Sequence, residues 1–214
     1  MKRIVFFLVV FGLTVSVYAQ SQLPPYQFAA GNWVFAGKRL FQNDANARLA
    51  KVNFQAPQSG PMLYEFNVIY EGGAEDGHGG FGLHIFGDQA YNARSWGNGN
   101  SYLLWLNYDE NPIGSAIPKG LSAQVYRSYT NTWMELVESV ALNEYEEYLT
   151  NENLSSPVPF KIIANGSTGE VRVYDPTDPD AYYLFNIPRK DIPLKGNWAA
   201  LRTNGIKLSF APGE

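Results

Sequence analysis

Gly80-Phe-Gly-Leu-His-Ile-Phe-Gly-Asp88 and Gly196-Asn-Trp-Ala-Ala-Leu-Arg-Thr-Asn-Gly-Ile-Lys-Leu-Ser-Phe210 decide the fold. Each is a strand-patterned run bounded or broken by glycine, in a chain with little helical periodicity. Further candidate strands lie between and before them at a steady spacing: Trp33–Phe41, Ala50–Phe54, Met62–Tyr70, Tyr102–Tyr108, Ser122–Tyr129, Trp133–Ser139, Pro159–Ala164, Glu170–Tyr174 and Tyr182–Ile187. Gly72-Gly73, Gly97-Asn-Gly99, Asn165-Gly-Ser167, Asp175-Pro176 and Asn204-Gly205 supply turns. The aromatic content of 15% also favours β structure. The expected architecture is all-β: one two-sheet antiparallel β-sandwich. In Tyr102–Tyr108, Leu104 and Leu106 take one face while Leu103 and Trp105 take the other, which suits a central strand. Leu142, Tyr145 and Leu149 have helical spacing, with Glu144, Glu146 and Glu147 for a wet face, so a short helical insert is expected near 142–150.

Residues 1–19 read as a signal peptide. Lys2 and Arg3 precede the apolar stretch Ile4–Leu13, and Val17-Tyr-Ala19 is a small-residue cleavage site that leaves Gln20 first. The apolar run is short for a spanning helix. Residues 20–214 then form a single domain, large enough for a full core. Losing Lys2 and Arg3 takes the net charge from −4 to −6. An acidic chain without a Lys/Arg cluster has no electrostatic footprint for nucleic acid or for an anionic membrane. The chain has no cysteine, which excludes disulfides, thiol catalysis, Cys-ligated zinc and a lipidated N-terminal Cys. A periplasmic or secreted protein is expected, with no membrane insertion after cleavage.

Gly31-Asn-Trp-Val-Phe-Ala-Gly-Lys-Arg-Leu-Phe-Gln42, Tyr64–Tyr70 leading through a Gly-rich loop into Gly80–Phe86, and Gly196–Phe210 resemble elements of one known group. These are the opening strand pair, the central pair and the closing hairpin of the concanavalin A-like lectin/glucanase (laminin G-like) superfamily. The resemblance covers most of residues 20–214. It implies a jelly-roll sandwich and leaves function open, since the group includes lectins, hydrolases and adhesion modules. Glucanase-type members place alternating carboxylates on one strand as nucleophile and general acid. Glu144-Tyr-Glu-Glu147 lacks the intervening Asp, and Glu135 and Glu138 have the wrong parity for one strand face, so no catalytic residue is assigned. Calcium, which many members bind, has oxygen donors on offer in Asp175, Asp178 and Asp180 and at Asn43-Asp44, without an EF-hand pattern. No cofactor is assigned.

Gly77-His-Gly-Gly-Phe-Gly82 matches GxGxxG only formally. A strand follows it instead of a helix, so it reads as a hairpin loop, with His78 in that loop. His84 has parity opposite to Phe81, Leu83 and Ile85 and would share a face with Gly82 and Phe86, the face this group often uses for ligands. Tyr91, Trp96, Tyr102, Trp105 and Tyr108 surround Gly97-Asn-Gly-Asn100, with Asn92, Arg94, Asn98 and Asn100 interleaved. Rings that stack on sugar faces beside amides that bond hydroxyls are what a glycan site needs. The other reading makes Trp96 and Trp105 core residues. The candidate ligand-binding set is His84, Tyr91, Asn92, Arg94, Trp96, Asn98, Asn100 and Trp105. The expected function is an exported, non-catalytic module for glycan or another envelope component. Alternatives are an envelope assembly protein with a protein partner, a divergent glycoside hydrolase and an outer-membrane barrel. Two features oppose the barrel: the polar Ala211–Glu214 end and strands that are apolar on both faces.

Overall fold

The computed structural model describes residues 23–142 and 155–213. The signal peptide expected at 1–19 and the helical insert beyond Leu142 lie outside them. Among the described residues, fourteen strands form two seven-stranded antiparallel sheets. The first runs in the order β1 (Tyr26–Ala30), β4 (Ala50–Ser59), β13 (Lys195–Asn204), β6 (His78–Gly87), β7 (Ser101–Asp109), β8 (Gly120–Ser128) and β9 (Met134–Ala141). The second runs β12 (Tyr182–Asn186), β11 (Glu170–Tyr174), β10 (Val158–Asn165), β5 (Pro61–Gly73), β14 (Ile206–Pro212), β3 (Arg39–Gln42) and β2 (Trp33–Ala36). This is the expected jelly-roll sandwich. Among the described residues each sheet ends in two edge strands, and the strands do not close into a single barrel.

Alternation builds the core. Phe81, Leu83 and Ile85 of β6, Tyr102 and Leu104 of β7, and Ala199 and Leu201 of β13 face the second sheet. There they meet Ile162, Val171, Phe185, Leu208 and Phe210 in two contiguous clusters. Phe81 sets its ring edge-on to Phe160, 5.0 Å between centroids. Each such side chain removed from water contributes about 1.5–3 kcal/mol, and with no disulfide this packing carries the fold.

Several expectations need correction. β5 and β6 are not a central pair. They belong to opposite sheets, and the chain between them crosses the core edge. Gly196–Phe210 is likewise no hairpin. β13 and β14 face each other across the core, joined by an arch at Gly205. Its φ of +67° and the Asn204 side chain, whose Oδ1 accepts the Leu49 N–H at 3.1 Å, turn the chain between layers. What does hold is that the two opening segments are neighbours, because β6 pairs with β13 from Gly80↔Asn204 to Gly87↔Trp198.

The loop before Phe81 is shorter than expected, for His78 begins β6 and its Nε2 lies 3.0 Å from Asp109 Oδ1. Phe86 does not share the His84 face. A bulge at φ +54° turns it into the core, where it is 2% exposed. A second bulge, at Val137 in β9, reverses the parity of Glu135 and Glu138. They register against Arg127 and Val125, on one side of the strand. Trp33–Phe41 is two strands about Gly37. β1 was not anticipated, because Pro24-Pro25 masks a five-residue edge strand that is largely exposed.

Candidate functional site

The outward face of the first sheet is organised in cross-strand rows, because directly paired residues point the same way. One row reads Lys51 (β4), Arg202 (β13), Gly82 (β6), Trp105 (β7), Gln124 (β8) and Ser139 (β9). The next reads Asn53, Ala200, His84, Leu103, Tyr126 and Leu136. Gly80, Gly82 and Ala200 leave a low floor in the middle. The Trp105 indole lies across it: a Cβ on Gly80 would sit 2.6 Å from Cζ2, and one on Gly82 would sit 2.8 Å from Cε3. This gives the glycine-phenylalanine-glycine pattern a reason. Phe81 fills the core while its two neighbours make room for an indole outside.

The segment 88–100, between β6 and β7, folds over one end of this floor. Asn98 pins it. Its Nδ2 donates to Asn53 Oδ1 at 3.1 Å, its N–H donates to Ser128 Oγ at 3.2 Å, and its Oδ1 accepts from Lys51 Nζ at 3.1 Å and from the Tyr91 N–H at 3.2 Å. Lys51 also donates to Ser95 Oγ at 2.7 Å and lies 5.3 Å from the Tyr91 ring centroid. Arg202 donates to the Trp96 carbonyl, and its guanidinium lies 5.8 Å from the ring centroids of both Trp96 and Trp105.

The candidate set therefore divides. Trp96 is 62% exposed, Trp105 is half-buried, and Tyr91, Asn92, Arg94 and Asn100 are exposed. Trp96, Trp105, Tyr91 and Asn92 are the groups at the floor, whereas Asn100 lines a different concavity beside Tyr102 and Arg127 and nothing ties Arg94 to the floor. Asn92 Oδ1 accepts from Asn53 Nδ2 at 3.2 Å, and the Asn100 N–H donates to Asp88 Oδ1 at 2.9 Å. Asn98 and His84 are fully buried. His84 Nδ1 meets Ser101 Oγ at 2.9 Å. Burial and the nearby cations Arg202 and Lys51 hold the imidazole well below its usual value, so it is neutral. Burial, with Arg202 secondary, brings Lys51 from 10.5 to about 8, and burial brings Arg202 to about 10.

Lys51, Asn53, Arg202, Gln124 and Tyr126 were not anticipated. Their signal was a charge or amide at the outward parity of an otherwise apolar strand, as in Ala50-Lys-Val-Asn-Phe54. A second concavity, lined by Tyr102, Arg127, Lys190 and Asp191, is a tie between β7, β8 and the turn at Arg189–Asp191: Tyr102 Oη donates to Asp191 Oδ2 at 2.5 Å, and Arg127 Nε lies 3.5 Å from it. The oxygens suggested for calcium cap their own turns. Asp175 Oδ1 accepts from the Thr177 N–H and hydroxyl, both at 2.7 Å, and Asp178 Oδ1 accepts from the Asp180 N–H at 3.0 Å. Among the described residues, no three His, Asp or Glu side chains converge on a metal position.

The sandwich is of the concanavalin A-like lectin type. It is similar over 89% of this chain and 94% of the other to the carbohydrate binding module CBM66 from Bacillus subtilis, at a TM-score of 0.58 and 11% identity. It is also similar to the CBM2 module of the evolved Dit of Lactobacillus casei BL23 phage J-1 (TM-score 0.53, 10% identity, 85% and 77% covered). A third relative in fold is a Bacillus subtilis protein of unknown function with a galectin-like fold (TM-score 0.54, 14% identity, 88% and 86% covered). At such identities the likeness is one of fold. No family model and no curated protein sequence matches the chain.

Proposed function

We propose that this chain is an exported, non-catalytic glycan-binding module of the periplasm or the cell exterior. One observation carries the reading: on the outward face of a lectin-type sheet, Trp96 and Trp105 flank Arg202 beside exposed amides. Two indoles offer stacking surfaces to sugar rings, and the exposed Asn92 and the half-buried Asn107 offer hydroxyl partners. Two of the structures similar in fold are carbohydrate-binding modules by name, which supports the reading.

A glycan array with the purified, processed chain tests it. Saturable binding is expected, lost at least tenfold in Trp96→Ala (about 1.4 kcal/mol) and unchanged in Tyr182→Ala on the opposite sheet. Binding that survives Trp96→Ala and Trp105→Ala together refutes the site. Export is tested by sequencing the N-terminus after expression with the native leader. A start at Gln20 is expected, and a retained Met1 contradicts it.

A second reading, assembly with an envelope protein, rests on a different place. Tyr26 and Phe28 of edge strand β1 are 44% and 45% exposed and cluster with Phe35 of edge strand β2. Phe28→Asp is expected to leave glycan binding intact, which separates this surface from the indole site.

A further inference from the structure

We propose that the Lys51, Arg202 and His84 cluster receives the anionic group of an acidic glycan, a uronate carboxylate or a sulfate ester. The proposal rests on the glycan reading above and narrows it to a ligand class.

Lys51 and Arg202 are directly opposed on adjacent strands, and His84 lies one row away on the next strand. Like charges in that position repel, and these are 0% and 3% exposed. Buried cations normally carry a carboxylate partner. Among the described residues none stands here: the ion pairs are Arg48–Asp76, His78–Asp109, Arg127–Asp191 and Arg172–Glu170, all elsewhere. Their hydrogen bonds go to neutral oxygens of the 88–100 segment, namely Ser95 Oγ, Asn98 Oδ1 and the Trp96 carbonyl, beside the aromatic rings already described.

Two buried nitrogens, Arg202 Nε and His84 Nε2, have no hydrogen-bond partner among the described residues. The Arg202 Nε–H is an orphaned donor in a buried, cationic cluster without a carboxylate, which is the chemistry that binds an oxyanion. The flanking indoles fix where the rest of the ligand goes. A sugar ring that stacks on Trp96 or Trp105 carries its acidic substituent to the guanidinium between them, where it displaces the Trp96 carbonyl. Burial lowers the basicity of Lys51 most and the neighbouring Arg202 lowers it further, as expected of a buried cation without a counter-charge.

Four polymers form the test: dextran, dextran sulfate, polygalacturonate and its methyl ester. Each is titrated calorimetrically at pH 8 in buffers of different ionisation enthalpy. At least one of the two acidic polymers is expected to bind tenfold or more tightly than its neutral counterpart, and to weaken with added salt. Which one binds tells sulfate from carboxylate.

The titratable groups facing Lys51 are Arg202 on β13, His84 on β6 and Tyr91 on the covering segment. An arriving anion raises Lys51, so binding at pH 8 takes up protons. Lys51→Met removes the uptake and weakens acidic binding at least tenfold, while Lys38→Gln, on the exposed turn between β2 and β3, changes neither.

Equal affinity for acidic and neutral forms, with Trp96 still required, overturns the anionic inference and leaves the glycan reading standing. Acidic binding that Lys51→Met does not weaken, or that takes up no protons, also overturns it. If none of the four polymers binds, the inference falls and the glycan array alone decides the broader reading.

Discussion

Lys51 is a strand residue whose position runs against ordinary core chemistry, and its consequence is a pH dependence with a definite sign. In the folded chain it titrates at about 8, against an unfolded value of 10.5. Between those values the unfolded chain holds a proton that the folded chain has released, so stability rises as the pH increases through this window. The cost relieved is on the order of 3 kcal/mol. Denaturant melts at pH 7.5 and 9.5 are expected to show that rise in the native chain and not in Lys51→Met. A native slope identical to that of the variant contradicts the buried charge. His84 works in the same direction at lower pH, since its folded value lies below the ordinary 6.5 and stability is lost as the pH falls through that range. Gly82 is the other telling residue. A methyl there meets the Leu104 carbonyl and the Trp105 ring, so Gly82→Ala is expected to lower stability by about 1–3 kcal/mol and to disturb the indole, read by Trp fluorescence.

At the scale of elements, strand existence was legible and strand partnership was not. Period-two apolarity marks Glu170–Tyr174 with its bounds and finds β6, β7, β10 and β13 within a few residues. It says nothing about which sheet receives the next strand. A Gly-containing turn closes a hairpin in one case and an arch across the core in another, and the difference lies in where both apolar faces can be buried at once. That is why Asn204-Gly205 reads as a hairpin and folds as an arch. Gly205→Ala tests the arch: with φ at +67° and a Cβ 3.0 Å from the His78 carbonyl, a loss of about 1–2 kcal/mol is expected in chemical denaturation. The bulges at Phe86 and Val137 hid in the same way. A bulge inserts one residue into a continuous apolar pattern, so parity counted through it fails, as it did for Phe86 and for Glu135 and Glu138.

For the whole molecule, two layers of seven strands leave four surfaces, two inward and two outward, and sequence periodicity separates inward from outward well. The outward site was half legible. The aromatic and amide segment 91–100 and Trp105 stood out because rings and amides there interrupt a glycine-rich stretch. The cations beneath them did not, because Lys51 and Arg202 come from strands 151 positions apart that only the β4·β13 pairing brings together. The site is therefore a property of the sheet and not of any one segment, and the measurement that probes it most directly follows both indoles during ligand binding. The chain has five tryptophans, each with one indole N–H signal in a nitrogen-15 correlation spectrum. On titration with a glycan that the array identifies, the signals assigned to Trp96 and Trp105 are expected to shift together and saturably, while that of Trp33, buried and donating to the Ala30 carbonyl at 2.7 Å, stays fixed. Saturable binding with Trp96 and Trp105 unmoved would show that the ligand sits elsewhere and that the two indoles over this sheet are not its site.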